Sequence, residues 1–96
     1  MKLRFTGAAR RDVVDAHGWY IERNLELGDR FLAETESGVN RIMEHPDAWH
    51  SVGDGARRFS LNNFPYGIIY TVVDDEIIVV AVAHHSRKPG YWRSRL

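Results

Sequence analysis

Near the start of the chain, Leu3 and Phe5 alternate with Lys2 and Arg4, a two-residue period that predicts a short strand with one buried face. Thr6 and Gly7 then offer a capping site, and the period changes. At helical spacing Ala9, Val13, Ala16, His17, Tyr20 and Ile21 share one side of a helix beginning near Ala8, with Asp12, Asp15 and Glu22 opposite. Asn24 to Gly28 breaks the pattern. From about Glu26 to His45 a second helix aligns Gly28, Phe31, Leu32, Thr35, Gly38, Val39, Ile42 and Met43, and Pro46 ends it by withholding a donor and restricting its predecessor. Two amphipathic helices joined by a short break predict an antiparallel hairpin, whose apolar stripes need a covering surface.

That surface is predicted downstream. A glycine-rich loop through Gly53 and Gly55 leads into a strand over residues 57–61, and Asn62 to Pro65 turn the chain. Tyr66 to Val73, β-branched and aromatic, reads as a strand, Asp74-Asp75 as a tight hairpin turn, and Glu76 to Ala83 as an apolar central strand covered on both faces. The expected fold is α+β, β-α-α-β-β-β: an N-terminal strand and an antiparallel helical hairpin packed on one face of a small antiparallel sheet. At 96 residues, one domain spanning 1–96 is expected.

Composition narrows the chemistry. There is no cysteine, hence no disulfide framework, and no apolar run of signal-peptide or membrane-spanning kind; a soluble, cytoplasmic protein with no membrane partner is the expectation. The net charge of zero hides blocks: residues 1–11 carry four basic groups, residues 12–54 hold ten acids against Arg23, Arg30 and Arg41, and Arg87, Lys88, Arg93 and Arg95 close the chain. Such a dipolar molecule can present a basic face to a polyanion or an acidic partner.

Five histidines raise the question of a metal. Adjacent residues on a strand point to opposite faces, so His84 and His85 cannot easily share an ion, and none of the five has ligand spacing. No metal or cofactor is expected. Cleavage of RNA through its 2′-hydroxyl needs a base, an acid and fixed cations, and Arg58, His84 or His85, Arg87 and Tyr91 supply those types. Binding without chemistry is the alternative: basic Arg87, Lys88, Arg93 and Arg95 are interleaved with Tyr91 and Trp92. Trp19, among the acids of the first helix, reads as cover for a loop or as an exposed anchor for a partner.

The succession Asp12-Val13, Tyr20-Ile21, Phe31-Leu32, Val39, His45-Pro46, Arg57-Arg58-Phe59, Phe64-Pro65-Tyr66-Gly67-Ile68-Ile69-Tyr70 and Val80-Ala81-Val82-Ala83-His84, closed by His-x-x-Arg-x-Pro-x-x-Trp and Arg95, resembles the ParE branch of the RelE/ParE toxins over nearly the whole chain. The resemblance implies the toxic half of a bacterial type II toxin–antitoxin pair, wrapped and neutralised by a cognate antitoxin. It also implies DNA gyrase as target, poisoned without a bond being made or broken by the toxin. Arg58, Arg87, Trp92, Arg93 and Arg95 are then the expected target contacts, and Trp19, Phe31, Leu3 and Phe5 the expected antitoxin contacts. The RelE branch instead cuts messenger RNA on the ribosome. This chain lacks the lysine-rich sheet of that branch, its only lysines being Lys2 and Lys88, but Arg58, His84, His85, Arg87 and Tyr91 keep the endoribonuclease as the alternative. A third reading is a non-toxic, antitoxin-binding module. His85 stands where the family often has a small residue.

Overall fold

The computed structural model describes residues 1–96. Strand β1 (Lys2–Phe5) leads into helix α1 (Gly7–Arg23), helix α2 (Leu25–Glu44), strands β2 (His50–Gly53), β3 (Ala56–Ser60), β4 (Tyr66–Val73) and β5 (Glu76–His84), and a closing 3₁₀ helix (Tyr91–Arg95). The sheet order is β1-β5-β4-β3-β2. The α+β class and the helical hairpin are as expected, with two refinements. The sheet is mixed, because β1 runs parallel to β5 while the other pairs are antiparallel. No hairpin ties β1 to its neighbour, so nothing in the connection forces the antiparallel arrangement. A fifth strand, β2, occupies part of the stretch expected to be loop; His50-Ser51-Val52-Gly53 offers one apolar side chain and so shows no alternation, and it is held by pairing to β3.

The hairpin is tighter than its sequence signal. Thr6 Oγ1 accepts from the Ala9 amide and starts α1. Asn24 alone separates the helices: its amide donates to Tyr20 O, ending α1, while its Oδ1 accepts from the Glu26 and Leu27 amides, starting α2. Two helices that turn on one residue must pack closely, and a Cβ at Gly28 would stand 2.1 Å from Ile21 Cγ2. On α2, Gly28, Phe31, Thr35, Gly38 and Ile42 are buried as expected, whereas Leu32 and Met43, assigned to the same stripe, are exposed. Leu32 lines an open groove beside β1 instead.

The sheet has a core on each side. On the helix side, Ala9, Ala16, Tyr20, Phe31 and Ile42 pack with Leu61, Phe64, Ile68, Tyr70, Ile77, Val79 and Val82. The outer side holds a smaller cluster of Ala56, Ile69, Val80, Ala81 and Ala83 under Trp92, which is 2% exposed. A bulge shifts the β4–β5 register between Ile69 and Tyr70: Ile69 faces Ala81 and Tyr70 faces Val79, leaving Val80 as the extra residue. Val80 and Ala81 therefore both face outward, and the alternation restarts one residue out of step. Val82 returns to the helix side, and so does His84 beside Tyr66, at 5.0 Å between ring centres.

Candidate functional site: a cleft where the central strand outruns its neighbour

β1 ends at Phe5 opposite Val79, but β5 continues to His84. A central strand left bare would expose unpaired backbone groups on that edge. Two side chains take the place of the missing strand. Asp12 Oδ2 accepts from the Val82 amide at 3.0 Å, and Arg95 Nη1 donates to Val80 O at 3.0 Å. The two also pair with each other, Arg95 Nη1 donating to Asp12 Oδ2 at 2.7 Å and Nη2 to Oδ1 at 3.4 Å. This hydrogen bonding to Asp12 raises the Arg95 pKa against the opposing effect of burial. Asp12 was expected on the polar side of α1. Its place next to Val13, and four residues before buried Ala16, puts it at the border of the apolar stripe, where only a partner across the fold decides its orientation.

The rest of the tail is fastened too. Trp92 roofs the outer core, and Arg93 Nη2 donates to Val52 O at 2.8 Å while its Nε pairs with Asp54 in the β2–β3 turn. Gly90, at φ 76°, turns the chain into the 3₁₀ helix in a conformation that favours glycine.

Beside the capped edge lies a cleft of about 470 Å³. One wall is α1: Asp12, Asp15, Ala16 and Trp19 recur at helical spacing, with Tyr20 at the floor. The other wall comprises Pro65 and Tyr66, Val82 and His84, and Arg87 and Tyr91 from the tail. His84 Nδ1 accepts from the Ser86 amide at 3.0 Å, which in the neutral ring places the hydrogen on Nε2. The Arg87 guanidinium lies over the Tyr91 ring at 4.0 Å and belongs to none of the chain's ion pairs. Burial raises the pKa of Tyr66, helped by nearby Tyr20 and Asp12. It raises that of Tyr91 as well, with Asp12 adding and Arg95 and Arg87 opposing.

His84, Arg87 and Tyr91 thus meet in one cleft. His85 turns out to solvent, its amide donating to Pro65 O at 2.8 Å. Arg58 lies on the other side of the sheet, its Cγ packed where a Gly67 Cβ would be and its buried Nε without a hydrogen-bond partner. Of the residues expected to touch an antitoxin, Leu3 and Phe5 line an apolar groove with Val13, Val14, Leu32 and Val39, flanked by Arg4 and Arg10. Phe31 is buried inside the core, and Trp19, 51% exposed, belongs to the cleft instead. Asp12, Tyr20 and Tyr66 were not singled out from sequence as site residues. No three histidine or acidic side chains gather as metal ligands, and no helix is long and apolar enough to cross a membrane.

Residues 3–89 match the family described as the ParE toxin of the type II toxin–antitoxin system, parDE. The chain belongs to the ParE toxin family. Among solved structures it is similar to one described as the chromosomal ParDE TA system from P. aeruginosa, at 18% identity and a TM-score of 0.77, covering 88% of this chain and 95% of that one. At that identity the likeness shows a shared fold. No curated protein matches the chain. Within the ParE frame, the His-x-x-Arg-x-Pro-x-x-Trp ending divides by role: His84 and Arg87 reach the cleft, and Trp92 roofs the outer core.

Proposed function

We propose that this ParE-family chain is a growth-arresting toxin that acts in the cytoplasm by binding DNA gyrase, and that a cognate antitoxin neutralises it. The observation that carries a binding action over bond cleavage is the separation of Arg58 from His84, Arg87 and Tyr91. Of the two arginines weighed as clamps for RNA cleavage, Arg58 lies on the opposite side of the sheet from His84, which leaves Arg87 as the one that shares the cleft with the candidate base. Arg87, exposed and in no ion pair, and the half-buried Arg58 are the target contacts, while Trp92, Arg93 and Arg95 support the target surface by holding the tail. The antitoxin has two routes onto the toxin: the free edge of β1 accepts a strand, and the groove of Leu3, Phe5, Val13, Val14 and Leu32 accepts apolar side chains.

Purified toxin is expected to inhibit gyrase supercoiling and to accumulate gyrase-cleaved plasmid. Toxin that neither inhibits supercoiling nor accumulates cleaved plasmid would overturn the reading. The endoribonuclease remains the second reading because His84, Arg87 and Tyr91 share the cleft. Discrete cuts in translated message, mapped by primer extension after induction, would favour it over gyrase. Deleting the C-terminal half of the antitoxin is expected to abolish the complex; full retained affinity would contradict the groove assignment.

A further inference from the structure

The cleft is built for more than the capping of β5. Its tail-side wall is rich in hydrogen-bond donors: the Arg87 guanidinium, His84 Nε2–H in the neutral ring, and the hydroxyls of Tyr66 and Tyr91. The acid nearest them, Asp12, is already neutralised by Arg95 and the Val82 amide. A cation held over an aromatic ring and in no ion pair is pre-organised for an oxyanion. Four donor side chains lining one cleft suit a phosphate monoester, with three terminal oxygens, better than a carboxylate with two.

The far wall asks for something different. The Arg23 guanidinium lies 3.4 Å from the Trp19 ring centre, and Trp19 is one of the residues lining the cleft. Asp15 stands one helical turn before it, an acceptor for hydroxyl or amine donors. The α1 wall therefore offers an acceptor and an aromatic ring, and the tail-side wall offers donors for an oxyanion.

We infer that the cleft between α1 and the tail binds a nucleoside monophosphate, with its phosphate at Arg87, His84 and Tyr91, its ring against Trp19, and its hydroxyls toward Asp15. Binding there requires no bond to break, and the inference stands apart from the choice of gyrase as target. The cleft's volume of about 470 Å³ is in the range of small-ligand sites.

The test is titration of the full-length toxin with adenosine 5′-monophosphate, followed by NMR of the Trp19 indole and His84 ring, with inorganic phosphate and adenosine as separate arms. The nucleotide is expected to shift both signals saturably and to bind more tightly than either fragment. Arg87→Ala and Trp19→Ala are each expected to weaken it about tenfold, and Arg30→Ala, on the exposed side of α2, to leave it unchanged. Both tested side chains are exposed, so amide spectra matching the parent's are expected for the variants. Phosphate binding as tightly as the nucleotide would overturn the ring assignment and with it the proposed ligand. So would the absence of saturable shifts up to on the order of 10 mM, or affinity indifferent to Arg87. Gyrase inhibition, measured separately, distinguishes failure of this site from failure of the toxin reading.

Discussion

The two sides of the sheet are covered by different kinds of sequence. Two regular helices lay repeating apolar side chains on one side, while five residues of 3₁₀ helix cover much of the other. Loss of one side chain from the helix side leaves many neighbours in place. The outer cluster is mostly alanine and valine under a single indole, and its cover is attached through Trp92, Arg93 and Arg95. Side chains that read as a basic tail in sequence are, in three dimensions, the fasteners of a second small core. The difference teaches that charge near a terminus is no guide to availability: Arg93 and Arg95 are paired with carboxylates, and Arg87 is not.

The comparison is broken most severely at Trp92. Trp92→Ala is expected to destabilise the protein by about 4 kcal/mol, measured by urea denaturation, whereas Leu32→Ala on the exposed margin of α2 is expected to change stability by less than about 0.5 kcal/mol. Equal effects would mean that the outer cluster is not a core. Next comes the Asp12–Arg95 pair, whose side chains are 16% and 24% exposed. Removing Arg95 leaves a partly buried carboxylate and an unpaired Val80 carbonyl, so Arg95→Ala is expected to cost about 3 kcal/mol. In a double-mutant cycle with Asp12→Ala, strictly additive losses would refute the coupling. On the helix side, Asn24→Ala removes the side-chain cap of α2 and is expected to cost about 1 kcal/mol by thermal melting.

The smallest expected effect is alkaline. Burial raises the pKa of Tyr20, Tyr66, Tyr70 and Tyr91 above the ordinary phenol value. The unfolded chain therefore releases these protons first as pH rises past about 10. Their stabilising contribution is complete below that pH and declines through the folded-state pKa values. Melting temperature against pH is expected to fall in that range, and Tyr91→Phe to remove the tail's share. A curve unchanged by that substitution would place Tyr91 in solvent.

Much of this was legible in the sequence. The helical period of α2, Pro46, and the turn at Asp74 and Asp75 (φ 50° and 66°) are local signals, and the structure follows them. β2 was not legible because four residues with one apolar side chain acquire strand character only from β3. The side of the sheet to which His84 points was hidden by the bulge at Val80, which strict alternation would reverse. Asp12 was hidden because its partners, Val82 and Arg95, lie 70 and 83 residues away. Family resemblance reached the fold and the toxin class; the division of the basic residues into those that fasten the tail and those left without an ion pair needed the packing.

That division is the central claim, and gyrase supercoiling measured with Arg87→Ala toxin tests it most directly. At equal concentrations of folded protein, the account predicts that inhibition by this variant falls about tenfold or more while its melting temperature stays at the parent value. Undiminished inhibition, or loss of inhibition only in step with loss of fold, would contradict it.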